Sequence, residues 1–124
     1  MSKDPETAEV AALREAAEGL LYPSESDEPF DVVNFGPAKG SVRDAILARA
    51  GARKPVEDVP IATFFDDLAG ADDEEGFERL CRALESHLTD LHVLRVGTIR
   101  VDVYVAGRAA GGDVVGLHTV SIET

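Results

Sequence analysis

Apolar residues recur along the chain at two different periods. Val10, Leu13, Ala17 and Leu20 stand three and four residues apart, which places them on one face of a helix. Asp4-Pro5-Glu6 is the predicted start of that helix, with Asp4 accepting from free backbone N–H groups and Pro5 pre-set at the first position. Gly19 is its predicted left-handed stop. Phe77, Leu80, Cys81, Leu84 and Leu88 repeat the helical spacing behind Asp72-Asp73-Glu74-Glu75, four carboxylates that a helix dipole favours at its N-terminus. Between these segments, Ser41 and Asp44 resemble a capping box leading into Ile46 and Leu47, with Gly51 as the stop. Thr63 is the predicted cap of a short helix over Phe64–Ala69.

The second period is two. Ile99, Val101, Val103 and Val105 alternate with Thr98, Arg100, Asp102 and Tyr104, the pattern of a strand with one apolar face. Phe30–Phe35 and His92–Val96 also have strand composition, the first ended by Gly36-Pro37 and the second by a turn or bulge at Gly97. Ala109-Ala110-Gly111-Gly112 joins the alternating strand to Val114–Ile122, most simply as a hairpin. Tyr22 to Pro29 reads as an acidic loop bracketed by prolines, and Ala52–Pro60 as a connector. Helices come first and strands last, so the expected class is α+β with a mainly antiparallel sheet. The 124 residues suit a single domain spanning 1–124.

Charge changes this picture. Lys and Arg total 12 against 24 Asp and Glu, a formal charge of −12. Residues 1–30 carry eight acids and two bases, and residues 61–90 nine acids and two bases, whereas 31–60 and 91–124 are close to balanced. Two acidic zones on one small domain fit two readings: a solvated surface, the simpler account of an acidic run alone, or a negative face that attracts a basic partner and speeds its arrival. The same acidity argues against direct binding to nucleic-acid phosphates or an anionic membrane. One cysteine cannot form an internal disulfide, Met1 to Glu9 carries no apolar leader, and no run approaches the roughly 18 apolar residues of a membrane span. A cytoplasmic setting is the expectation.

Catalytic motifs are scarce. His87, His92 and His118 match no zinc spacing, and His87 suits the C-terminal end of the acidic helix as a favourable cation. Cys81 shares the apolar stripe with Leu80 and Leu84, where a small buried hydrophobe is expected rather than a nucleophile. Asp66, Asp67 and Asp72–Glu75 lack the glycine and distant glutamate of an EF-hand loop. Gly111-Gly112 lacks the strand–helix context of a dinucleotide site, and Ser24 and Ser26 lie outside any G-x-S-x-G frame. No enzyme and no cofactor are expected on these grounds.

Two blocks carry a family resemblance. Gly19-Leu20-Leu21-Tyr22-Pro23-Ser24-Glu25-Ser26-Asp27-Glu28-Pro29-Phe30-Asp31-Val32 resembles the nuclease A inhibitor family, and so does the stretch from Leu94 through LRVGTIRVDVYVAG to the terminal GLHTVSIET. Phe64-Phe65 matches a phenylalanine pair in the family's middle. The resemblance implies a protein inhibitor of a sugar-non-specific, Mg²⁺-dependent nuclease of the ββα-metal type, folded as an α/β/α sandwich. It further implies that Glu25, between the two serines, enters the nuclease site and that Thr124 reaches the catalytic metal. The segment Ala69–Glu75 departs from the family pattern: it is shorter than in the family's characterised inhibitor, and the chain has no tryptophan.

The implied chemistry is coherent. A nuclease site is basic and holds a hard cation that takes oxygen ligands, so an acidic loop can stand in for substrate phosphate. Ser24, Glu25, Ser26 and Asp27 form that loop, and Glu123 and Thr124 add a side-chain carboxylate, a hydroxyl and the terminal carboxylate. Tyr22 is either a rim aromatic of the contact or a core residue. The expected assembly is a monomer in a 1:1 complex. A regulatory interaction module with a non-nuclease partner is the alternative, and a small metal-dependent enzyme using Asp66, Asp67 or His118 is a third reading.

Overall fold

Thr7 opens the first helix, its hydroxyl accepting from the Val10 N–H at 3.2 Å. The computed structural model describes residues 7–24, 26–37, 40–51, 55–68 and 73–123. Asp4 and Pro5 lie outside the described residues, and the described helix α1 (Ala8–Ala17) starts behind Thr7. The chain continues through β1 (Leu21–Tyr22), β2 (Glu28–Pro29), β3 (Asp31–Pro37), α2 (Val42–Ala50), β4 (Val56–Val59), α3 (Ile61–Leu68), α4 (Glu74–His87), β5 (Thr89–Val96), β6 (Arg100–Arg108) and β7 (Asp113–Ile122). Helices and strands therefore interleave, which corrects the expected order of helices first and strands last.

The class is mixed α+β in one domain, with a five-stranded sheet of order β3-β7-β6-β5-β4 in which every neighbouring pair is antiparallel. β1 and β2 form a separate two-stranded ribbon. Both sheet faces are covered. Val93, Val101, Val103, Val105, Val115 and Leu117 pack under α1, α3 and α4, against Leu13, Phe64, Leu80 and Leu84. Leu94, Val96, Tyr104, Ala106 and Val114 point the other way, under Val42 and Ile46 of α2. The alternating strand thus has two covered faces rather than one, and Tyr104 is only 7% exposed. Ile99 falls outside that strand and is 63% exposed, because it sits in the turn before β6.

Local signals explain most element ends. Gly19 adopts φ +79° just past α1, a conformation that costs a glycine nothing. The Ser41 hydroxyl accepts from the Asp44 N–H at 3.0 Å and the Asp73 carboxylate from the Gly76 N–H at 2.9 Å, capping α2 and α4. Thr63 is not a cap: α3 begins at Ile61, with the Phe64 N–H donating to the Pro60 carbonyl. Two elements differ from the loop readings. Val56-Glu57-Asp58-Val59 is an edge strand inside the expected connector, tied to α2 by Arg43, whose Nε and Nη2 reach the Asp58 carboxylate at 2.9 and 3.0 Å. The acidic loop contains the β1–β2 ribbon. Gly36-Pro37 also belongs to β3, which bulges between Asn34 and Gly36 instead of ending there.

The topology gathers the charge. α1 packs beside α4 and α4 beside α3, so exposed Glu15, Glu18, Asp66, Asp67, Glu74, Glu75, Glu78 and Glu85 share one side of the sheet. Arg43 and Arg49 belong to α2 on the opposite side. No helix among the described residues is long and apolar enough to cross a membrane.

Because the two helical layers share one sheet, they should melt together. Ile46→Ala and Leu84→Ala, each removing a side chain with no exposed surface, are each expected to cost about 2–5 kcal/mol in urea unfolding. Both variants should retain a single coincident transition by far-UV and near-UV circular dichroism.

Candidate functional site

Of the residues singled out from the sequence, Tyr22, Ser24, Ser26, Asp27 and Glu123 come together at one end of the sheet. The β1–β2 ribbon lies against β7, where the buried Thr119 hydroxyl donates to the Pro29 carbonyl at 2.8 Å. Its connecting loop is shaped by its own side chains. The Ser24 N–H donates to Asp27 Oδ1 at 3.3 Å, and the Ser26 N–H donates to Ser24 Oγ at 3.3 Å. Asp27 takes φ +49°, a left-handed turn that a short polar side chain tolerates. The loop meets the end of the chain, because the Ile122 N–H donates to Ser24 Oγ at 3.4 Å. Glu25 and Thr124 lie outside the described residues, but their neighbours Ser24, Ser26 and Glu123 occupy this junction.

Glu123 is held from three directions. Its backbone N–H donates to the Ile99 carbonyl at 2.8 Å, the Ser121 hydroxyl donates to its Oε2 at 2.7 Å, and Arg95 Nη2 donates to the same oxygen. Arg95 Nε also reaches Glu57 Oε1 at 3.3 Å, and Nη1 lies 3.5 Å from the Tyr22 hydroxyl. The hydrogen bond from Arg95, followed by that from Ser121, holds the Glu123 carboxyl below the usual carboxylate range. Burial works against the charge on Arg95, yet the hydrogen bond and charge of Glu123 outweigh it and raise the guanidinium further. Nothing in the sequence marked Arg95 as part of this group. The only available signal was a cation in a strand whose neighbours Val93 and Val103 on the same face are buried.

Tyr22 was open between rim and core, and it is half-buried. Its ring stacks on Phe64 at 5.8 Å and 8° and meets Phe30 edge-on at 6.1 Å. Burial pushes its phenol above the ordinary value, with nearby Arg95 partly opposing the shift. The exposed hydrophobe beside the loop is instead Leu21, 50% accessible. It borders a shallow depression with Leu20, Pro23, Asp27, Asp73 and Phe77, which joins the loop to the start of acidic α4.

Other candidates are scattered. His118 lies on the α2 side of the sheet, with Nε2 2.9 Å from Asp102 Oδ1 and its ring 4.8 Å from that of Tyr104. Asp66 and Asp67 lie on α3, across the sheet from it. His87 ends α4, and His92 pairs with Asp90 at 3.2 Å. Among the described residues, no group of three or more His, Cys, Asp or Glu side chains is placed to hold a metal ion. Cys81 is half-buried rather than fully enclosed, and desolvation followed by the charge of Glu85 raises its thiol above the ordinary value, the reverse of nucleophilic activation.

The two resemblance-bearing blocks thus meet at one junction of the fold. A family model described as nuclease A inhibitor-like protein matches residues 7–124, nearly the whole chain. The chain belongs to the nuclease A inhibitor-like family. No curated protein matches it significantly.

The Glu123 pairing sets a pH dependence of known sign. A carboxyl depressed on folding stabilises the native state above about pH 4.3, its unfolded value, and that contribution disappears as pH falls through the depressed native value. A carboxyl-carbon NMR titration is expected to place the Glu123 midpoint below about 4.3. In Arg95→Met the midpoint should move upward.

Proposed function

We propose that this protein inhibits a Mg²⁺-dependent, sugar-non-specific nuclease of the ββα-metal type by occupying its active site with the acidic loop and the chain end. Glu25, flanked by Ser24, Ser26 and Asp27, pairs with cationic groups that otherwise hold substrate phosphate. Thr124 contributes oxygen to the enzyme's metal, a hard cation that favours oxygen ligands. Glu123 and Tyr22 complete the contact surface. The whole 124-residue chain acts as the inhibitory domain, as a monomer in a 1:1 complex in the cytoplasm, without a cofactor or a metal of its own.

The observation that carries this reading is the hydrogen bond from the Ile122 N–H to Ser24 Oγ. It joins the two sequence blocks that most resemble the family, although 98 residues separate the bonded pair. An inhibitor that blocks one active site with both blocks needs them side by side, and the ribbon packed on β7 supplies that placement. The acidic side formed by α1, α3 and α4 adds long-range attraction for a basic enzyme surface.

Titrating the untagged protein into a nuclease of this type should give stoichiometric inhibition. Glu25→Ala and deletion of Thr124 should each weaken binding at least tenfold, about 1.4 kcal/mol or more, with unchanged thermal unfolding. Association of the wild-type protein should slow as ionic strength rises. Inhibition unaffected by either change would overturn the assigned mechanism. Capture of a non-nuclease partner that tolerates residues added after Thr124 would favour a regulatory interaction module instead.

A further inference from the structure

Arg95 stands where a cation is costly. It occupies the sheet face of Val93 and Val103, and its side chain is only 20% exposed. A group in that position needs its donors satisfied, and here the acceptors come from three separate parts of the chain. Glu57 belongs to edge strand β4, Tyr22 to ribbon strand β1, and Glu123 to the residue after β7. The Tyr22 ring is fixed in turn by Phe64 and Phe30, so its hydroxyl is a rigid reference point for the ribbon. The Glu123 backbone is fixed by Ile99. The guanidinium therefore bridges the ribbon and the end of β7, which among the described residues are also joined by the hydrogen bonds of Ile122 to Ser24 at 3.4 Å and of Thr119 to Pro29 at 2.8 Å.

Partly buried ion pairs add little net stability compared with apolar residues of similar volume, so stability is a weak reason for such a group. A planar fork with fixed donor directions does set geometry, which a lysine cannot reproduce across several acceptors. We propose that Arg95 is the positioning residue of the binding surface, its guanidinium locking the chain end to the serine-bearing loop through Glu123 and Tyr22 before a partner arrives. A surface fixed in advance loses less conformational entropy on association, and its complex dissociates more slowly. The effect on a partner rests on the nuclease-inhibitor reading, whereas the bridge itself does not.

The test separates the two. In the free protein, Tyr22→Phe removes only the phenolic acceptor, and its amide NMR perturbation is expected to reach Glu123. In an Arg95→Met background that perturbation should stop short of Glu123. The same background should lower the ¹⁵N order parameters of Ser24, Ser26, Asp27 and Glu123 while leaving those of α4 and β6 unchanged. Arg95→Lys keeps the charge but should restore neither the transmission nor the order parameters, and it serves as the folded comparison should the methionine variant unfold. Unchanged order parameters together with undiminished transmission from Tyr22 to Glu123 in both variants would overturn the proposal. Against a Mg²⁺-dependent, sugar-non-specific nuclease, Arg95→Met should raise the dissociation rate about tenfold or more with little change in association rate. If wild-type protein leaves that enzyme uninhibited, the nuclease assignment fails, while the NMR outcome still decides the role of Arg95.

Discussion

Covering both faces of one sheet is the constraint on which this structure depends. β6 and β7 form the centre of the sheet, and their side chains alternate between the layer of α2 and the layer of α1, α3 and α4. Neither face tolerates a bulky misfit where the backbones close up. Gly116 shows this directly, since a Cβ there would lie 2.0 Å from the Val105 carbonyl oxygen. A register slip of one residue in this pair would exchange the two layers, so the register of β7 is strongly specified. The end of β7 is held in the same register, with Ser121 and Ile122 paired to Val101 and Arg100.

The same topology determines the charge distribution. Three helices are needed to cover the larger face, and those helices come from the two acidic zones of the sequence. Their outward positions hold the carboxylates, while their inward positions hold Val10, Leu13, Phe64, Leu80 and Leu84. Amphipathic patterning that builds the core thus also builds the negative side. α2, from the more basic stretch, covers the other face, where Arg43 is engaged with Asp58 and the Arg49 guanidinium lies 5.9 Å from the Phe35 ring centre.

Much of the fold was legible because strong periodicity does not depend on distant residues. The α4 stripe with carboxylates at its start, the Ser41 cap and the β6–β7 hairpin follow from spacing and local chemistry. What the pattern missed depends on tertiary pairing. β4 reads as a polar connector because Glu57 and Asp58 are exposed on an edge strand whose partner lies 38 residues later. The ribbon of Leu21–Tyr22 and Glu28–Pro29 is too short for any period to show, and it exists because β7 provides a surface for it. Asp102 and Tyr104 resembled a solvent-facing row because α2, which covers that face, precedes them by more than 50 residues. At the candidate site, the loop was legible through its resemblance, but Arg95 was not, since each of its acceptors comes from a different element.

That distribution of acceptors bears on the kind of function the fold serves. Catalytic sites concentrate converging donors, acceptors and perturbed groups inside a cleft. At this junction Arg95, Glu123, Ser121 and Tyr22 instead hydrogen-bond to one another, and Arg95 also reaches Glu57. The titratable groups that might have suggested chemistry, Cys81 and His118, lie on opposite sides of the sheet. The Arg95 cluster fixes the positions of its own side chains beside the serine-bearing loop. The glutamate that ends the sheet and the serine that starts the loop become neighbours through the packing of the ribbon on β7, and that neighbourhood is what distinguishes this end of the molecule from the rest of its acidic surface.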